Sequence, residues 1–216
     1  MSNNEYRFTK DFWEKDHFEN FKKISELFNS QKDESKFLEI GTYEGRTSTW
    51  LLDNIPNCNM TLVDPDPGPY FHYNFRWWFN SKHLRWIEKY SYEALVNERG
   101  NQYDLIYIDG DHNASGVLED AILSWRLLKI GGILLFDDYL MKIDNPWFYI
   151  MHAEFQTHKE DGLTFQHPKE AINTFLEIFK GQYELIINNY QIGIKKKVEL
   201  CKKNLNHGIE QENDNE

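Results

Sequence analysis

Tyr103-Asp-Leu-Ile-Tyr-Ile-Asp-Gly-Asp-His112 is the stretch that decides the fold. Its first six residues form an apolar run of strand length bounded by polar turn residues, the pattern of a strand buried on both faces. A second run, Ile133-Leu-Leu-Phe136, closes on Asp137-Asp138. Laid side by side in a parallel sheet, the two runs bring three carboxylates and an imidazole to their carboxyl ends. That edge is where open α/β sheets bind ligands. An oxygen-rich cluster there suits a hard divalent cation such as Mg²⁺. A histidine beside such an ion can accept a proton from a bound substrate.

Working outward, residues 9 to 29 have the spacing of an amphipathic helix, with Thr9 as its cap and Phe18, Phe21, Ile24, Leu27 and Phe28 on its apolar face. A polar loop, 30 to 35, leads into the strand Phe37-Leu-Glu-Ile40. The turn Gly41-Thr-Tyr-Glu-Gly45 follows, then a helix from Arg46 to Asn54. Met60-Thr-Leu-Val63 is the next strand, and it ends on Asp64. The aromatic-dense stretch Tyr70 to Phe79 reads as helical and mostly core, ahead of a strand at Leu84 to Ile87. After His112 a helix carries Val117, Ala121, Ile122, Trp125 and Leu128 on one face and stops at Gly131-Gly132. Residues 140 to 167 form an insertion long enough to serve as a lid, with Trp147, Phe148 and Tyr149 as its closing surface. Pro168 opens a helix through Phe179. A hairpin follows, Tyr183–Ile187 and Tyr190–Ile194 about the turn Asn188-Asn189. The run Lys195-Lys-Lys197 reads as a solvated strand end.

Strands alternating with helices and closing on a hairpin imply an α/β, doubly wound, Rossmann-like seven-stranded sheet with the terminal strand antiparallel. The chain divides into an N-terminal helical segment (1–35), one α/β domain (36–197, with the insertion 140–167) and a charged, mobile tail (198–216).

Composition narrows the function. With 216 residues, 40% of them hydrophobic and 16% aromatic, the chain is long enough for one packed domain. A net charge of −11 argues against a general nucleic-acid surface, because phosphate binding needs clustered Lys and Arg. Cys58 and Cys201 form no zinc-type pattern and read as reduced thiols. No stretch approaches the roughly 18 apolar residues of a membrane helix, so a cytoplasmic protein is expected. A homo-oligomer is compatible with the sequence.

Glu39-Ile-Gly41-Thr-Tyr-Glu-Gly45 combines a strand end, a glycine turn and a helix start, whose free N–H groups can meet a ligand. The spacing is GxxxG, not the GxGxxG that cradles a pyrophosphate, which sets aside a nicotinamide dehydrogenase. Asp64 ends the second strand 23 residues after Gly41, where a carboxylate can accept from both hydroxyls of a ribose. The pair points to a nucleoside ligand without a diphosphate. Alternatives stand beside each reading. The glycines can be simple turn residues, Asp109 a helix cap, Asp137-Asp138 a solvated turn, and His112 a packed histidine.

Through Phe37-Leu-Glu-Ile-Gly-Thr-Tyr-Glu-Gly-Arg-Thr-Ser48, Leu62-Val-Asp-Pro65, Tyr103 to His112 and Leu127 to Tyr139, the chain resembles class I S-adenosylmethionine-dependent methyltransferases over residues 36 to 196. More narrowly, it resembles the small cation-dependent O-methyltransferase branch that includes sugar-modifying and cephalosporin-hydroxylase-like proteins. The resemblance implies S-adenosylmethionine as cofactor, held by Glu39, Gly41, Thr42, Tyr43, Asp64 and Asp109, with Ser91 near the adenine. It implies a divalent metal, Mg²⁺ or another, on Asp109, Asp137 and Asp138, with His112 as the base. It further implies a small hydroxyl acceptor, a sugar or other polyol. Two departures bear on this. Sugar-modifying relatives often carry Glu-Asp where this chain has Asp137-Asp138, and catechol-type relatives carry Asp-Asn. The acceptor-binding segments, 66–83 and 140–167, carry none of the motifs on which the resemblance rests. The rival expectations are a metal-independent O- or N-methyltransferase and a non-catalytic binding subunit built on the same fold.

Overall fold

The computed structural model describes residues 5–10, 13–30, 33–142 and 166–198. Most of the insertion and nearly all of the tail therefore lie outside the described residues, as do Trp147, Phe148, Tyr149 and Cys201. The strands are β1 (Ser35–Ile40), β2 (Cys58–Val63), β3 (Leu84–Ile87), β4 (Tyr103–Ile108), β5 (Leu128–Phe136), β6 (Tyr183–Asn188) and β7 (Ile192–Lys196). The helices are α1 (Lys15–Asn29), α2 (Arg46–Asn54), α3 (Phe71–Asn74), α4 (Ser91–Leu95), α5 (Ala114–Leu127) and α6 (Pro168–Ile178).

The seven strands lie in the order β3-β2-β1-β4-β5-β7-β6, and β7 runs antiparallel to both of its neighbours. The expected doubly wound sheet is thus present. Its faces are covered separately. One core joins Ile106, Ile108 and Leu134 to Trp125 of α5 and Phe175 of α6. The other joins Phe37, Leu105 and Tyr107 to Phe21 of α1, Leu51 of α2 and Phe71 of α3. Strands buried on both faces account for the continuous apolar runs in the sequence.

The register matters most for function. Ile40 pairs with both Val63 and Ile108, and Ile108 pairs with Phe136. The ladder continues one residue further, with Gly41 N donating to Val63 O (2.9 Å), Asp109 N to Ile40 O (2.9 Å) and Asp137 N to Ile108 O (3.0 Å). Strands ending level with one another place Gly41, Asp64, Asp109 and Asp137 along a single edge.

Several local expectations are corrected. Helix α1 begins at Lys15 with Glu14 as its cap, in a capping box closed by His17. Thr9 instead donates through its backbone N–H to Glu44 Oε2 (2.7 Å). Phe18, Leu27 and Ile122 are exposed, because the buried stripes of their helices are narrower than the spacing suggested. Helix α5 ends at Leu127 rather than at Gly131-Gly132. Leu128 already pairs with Tyr103, and Ile133 with Leu105, so residues 129–132 loop out of the ladder, with Gly131 at φ +80°. Of Tyr70–Phe79 only Phe71–Asn74 is α-helical, though Phe71 and Phe75 are core as expected. Tyr190 lies in the hairpin turn and not in a strand. Lys196 is buried, and its Nζ donates to the carbonyls of Trp125 (2.9 Å) and Leu128 (2.8 Å) at the end of α5.

Candidate active site

A cavity of about 790 Å³ opens at the carboxyl ends of β1, β2, β4 and β5. Its lining includes Glu39, Gly41, Thr42, Tyr43 and Asp64 on one side and Asp109, His112, Asp137, Asp138 and Tyr190 on the other. The volume is within the range of small-molecule sites.

The glycine turn is shaped by its neighbours. Gly41 has φ +79°, and a Cβ there would stand 2.1 Å from the carbonyl oxygen of Asp109. Only glycine lets the β1 and β4 turns meet so closely. Asp64 Oδ2 accepts the backbone N–H groups of Thr42 (2.8 Å) and Tyr43 (2.7 Å), and its Oδ1 accepts that of Asp66 (2.9 Å). The Asp64 carboxylate therefore braces the turn as well as lining the cavity. Glu39 is buried beneath, accepting from the Ser48 hydroxyl, and burial pushes its carboxyl up to about 8. Thr42 Oγ1 is buried with no hydrogen-bond partner among the described residues, a polar atom at the turn that a ligand could satisfy. Ser91 opens α4 beside Asp120 and is not among the residues lining the cavity.

On the acidic side the structure separates the two consecutive aspartates. Asp137 Oδ2 accepts from Tyr107 Oη (2.9 Å), and its Oδ1 accepts from Gln191 Nε2 (3.0 Å). His17 Nε2 lies 3.3 Å from the same Oδ1. Because His17 Nδ1 accepts the N–H of Glu14 (3.2 Å), the neutral ring carries its proton on Nε2, facing Asp137. Asp138 turns elsewhere. Its backbone is left-handed (φ 58°), its Oδ1 accepts from Tyr190 Oη (2.6 Å), and its Oδ2 meets His112 Nε2 at 3.1 Å. The 2.6 Å bond from Tyr190 is of the short, charge-assisted kind.

Among the described residues, Asp109, His112 and Asp138 each offer a ligand atom lying within 4.8 Å of the others. Asp137, expected as a ligand, is outside that group. Burial pushes the Asp109 carboxyl well above its usual range, and the charges of Asp137, Asp138 and Glu39 add to the effect. Burial alone would lower the His112 pKa, but its bond to Asp138 and the surrounding carboxylates raise it on balance. For Asp138, burial is outweighed by His112 and Tyr190, and its carboxyl is held below the usual range. A cation would relieve the crowding of acidic groups, so the donor set fits a metal.

The sequence reading missed His17, Tyr107, Tyr190 and Gln191. Tyr107 was legible as a strand residue one place from Ile108. The others had no local signal, since they reach the site from α1 and the hairpin turn.

Residues 38–139 match the family model described as a methyltransferase domain. The matched segment is a little under half of the chain and runs from within β1 to just past β5, so it contains the Gly41 turn, Asp64, Asp109, His112, Asp137 and Asp138. A protein of Acanthamoeba polyphaga mimivirus, R132, is 26% identical over 132 residues. The match spans 57% of this chain and 59% of that relative's length. Among solved structures, an O-methyltransferase from Bacillus cereus in complex with S-adenosylhomocysteine superposes with a TM-score of 0.57 at 14% identity. It covers 82% of this chain and 81% of its own. The 1,6-didemethyltoxoflavin N1-methyltransferase of Burkholderia thailandensis, bound to that substrate and S-adenosylhomocysteine, gives 0.56 at 12% identity, covering 82% and 77%. At these identities the likeness concerns the fold. Of these two examples one is named for methylation of oxygen and the other of nitrogen, so the shared fold does not select an acceptor atom. No helix among the described residues is long and apolar enough to cross a membrane.

Proposed function

We propose that this protein is a class I methyltransferase that transfers the methyl group of S-adenosylmethionine to a hydroxyl oxygen of a small acceptor, a sugar or other polyol, with a divalent cation assisting. The observation that carries the reading is the single cavity joining the Gly41–Asp64 turn to the Asp109–His112–Asp138 group. The cofactor supplies an electrophilic methyl on a sulfonium, so the acceptor oxygen forms the new bond as the sulfur–methyl bond breaks. The protein must align the two and help remove the acceptor's proton, and alignment alone supplies several kcal/mol of barrier reduction.

The Gly41 turn, with Thr42 and Tyr43, would hold the methionine end of the cofactor, and Asp64 its ribose. The acidic side would hold a cation, which lowers the pKa of an oxygen bound to it. His112 stands where it can serve either as proton acceptor or as a ligand. Trp13 lines the same cavity, with Phe21 stacked against it (ring centroids 5.0 Å apart) and the Arg46 guanidinium 4.4 Å from its ring centroid.

A specific contact favours a second reading. Asp138 already holds His112 at 3.1 Å, an arrangement that could orient a histidine base without any metal. Calorimetry with S-adenosylhomocysteine, then transfer of labelled methyl from S-adenosylmethionine to a panel of sugars, polyols and amines, with and without EDTA, separates the readings. Oxygen methylation lost on chelation supports the first; undiminished activity in EDTA supports the second. Failure to bind S-adenosylhomocysteine would remove both.

A further inference from the structure

We infer that the cation site of this protein is a mixed nitrogen–oxygen site, with His112 as a metal ligand alongside Asp109 and Asp138, and with Asp137 as a positioning residue outside the coordination sphere. The inference rests on the metal-assisted reading above and changes its ligand set.

Geometry selects the trio. Adjacent ligands on a cation at about 2.1 Å stand roughly 3 Å apart, and opposite ones a little over 4 Å. His112 Nε2 and Asp138 Oδ2 are separated by 3.1 Å, the spacing of two neighbouring ligands. The ligand atoms of all three residues lie within 4.8 Å of one another, so small side-chain movements bring them onto one ion. Asp137 is placed differently. Three donors from three elements converge on its two oxygens: Tyr107 of β4, His17 of α1 and Gln191 of the hairpin. Turning either oxygen onto a metal would leave buried donors unpaired, which is costly where water cannot replace the lost acceptor.

The network behind Asp137 fixes it further. Gln191 Oε1 accepts from Asn20 Nδ2 (2.9 Å), and the amides of Asn20 and Asn189 bond to each other in both directions (2.9 and 3.1 Å). Asn20 and Gln191 are buried. Such a satisfied buried network resists rearrangement. It anchors the end of β5 immediately before Asp138.

A nitrogen donor changes the preferred ion. Carboxylate and water ligands suit Mg²⁺ and Mn²⁺, whereas an added imidazole shifts the preference towards Fe²⁺, Ni²⁺ or Zn²⁺.

The test uses Mn²⁺ as the probe on the full-length protein, followed by electron paramagnetic resonance. Pulsed spectra of the wild-type complex are expected to show ¹⁴N coupling from a directly bound imidazole. His112→Ala should weaken Mn²⁺ binding tenfold or more and abolish that coupling. Asp137→Asn should retain the nitrogen signal. Wild-type Mn²⁺ spectra without ¹⁴N coupling would overturn the assignment, as would unchanged affinity in His112→Ala or no binding of Mn²⁺ by the wild type. The wild-type spectrum needs no variant to fold. Calorimetry of the same samples with S-adenosylhomocysteine reports separately on the methyltransferase site, so failure of that reading and of the ligand assignment are told apart.

Discussion

His17 Nε2 and Asp137 Oδ1 lie 3.3 Å apart although the residues belong to the first helix and the end of the fifth strand. The contact makes α1 part of the site's foundation rather than an appended N-terminal segment. Both side chains are largely buried, so neither group has water as a ready substitute. His17→Ala should destabilise the fold by about 1–3 kcal/mol, the cost of leaving a buried polar group short of a partner. His17→Gln, which keeps a donor, should recover part of it. Urea unfolding of the three proteins checks this; equal midpoints for wild type and His17→Ala would show that the contact contributes nothing.

Asp64→Ala should weaken S-adenosylhomocysteine binding by about 1.5–3 kcal/mol, the value of a hydrogen bond to a charged group. It should also loosen the turn, because Thr42 and Tyr43 lose their shared acceptor. Calorimetry gives the first effect, and amide exchange at residues 42 and 43 the second. Cofactor affinity equal to wild type would remove Asp64 from the binding site.

Asp120 gives a pH-dependent stability term. Burial, reinforced by the charges of Asp111 and Glu119 and partly opposed by Ser91, raises its carboxyl to about 7 from 3.8. The folded state thus holds a proton that the unfolded chain releases between those values. Its contribution is intact below about pH 4, falls as pH rises towards 7, and is flat above. Asp120→Asn, which carries no charge to desolvate, should be more stable than wild type at pH 8 by up to the order of 4 kcal/mol. The two should be nearly equal at pH 4. Chemical denaturation at both pH values measures the difference; a gap that does not grow with pH would refute it.

Lys196→Met should cost about 2–4 kcal/mol, since two buried carbonyls at the end of α5 lose their donor. Lys195→Met and Lys197→Met, at exposed positions, should be nearly neutral. Thermal unfolding of the three variants provides the comparison, and three similar midpoints would return the whole run to the solvated strand end that its composition suggested.

Much of the framework was legible because it depends on local order. Apolar runs of strand length, the glycine turn at Gly41 and the carboxylates after Ile108 and Phe136 declare themselves by spacing. Parallel strands with a shared register must bring those ends to one edge. The misreadings arose where packing overrode pattern. Thr9 has the chemistry of a helix cap, but Glu44 draws its backbone away from α1. Gly131-Gly132 has the chemistry of a helix stop, yet Leu128 had already joined the sheet.

What the sequence determined by itself was the set of chemical groups and the edge on which they would meet, since the period of strands and the order of elements settle that. Tertiary structure alone decided how the groups divide between tasks. Asp137 and Asp138 are chemically identical neighbours, and nothing along the chain distinguishes them. They differ because α1, β4 and the hairpin turn saturate one carboxylate, while a left-handed backbone directs the other to His112 and Tyr190. Those partners come from distant parts of the chain, and the strength of each contact depends on burial that only the packed fold creates.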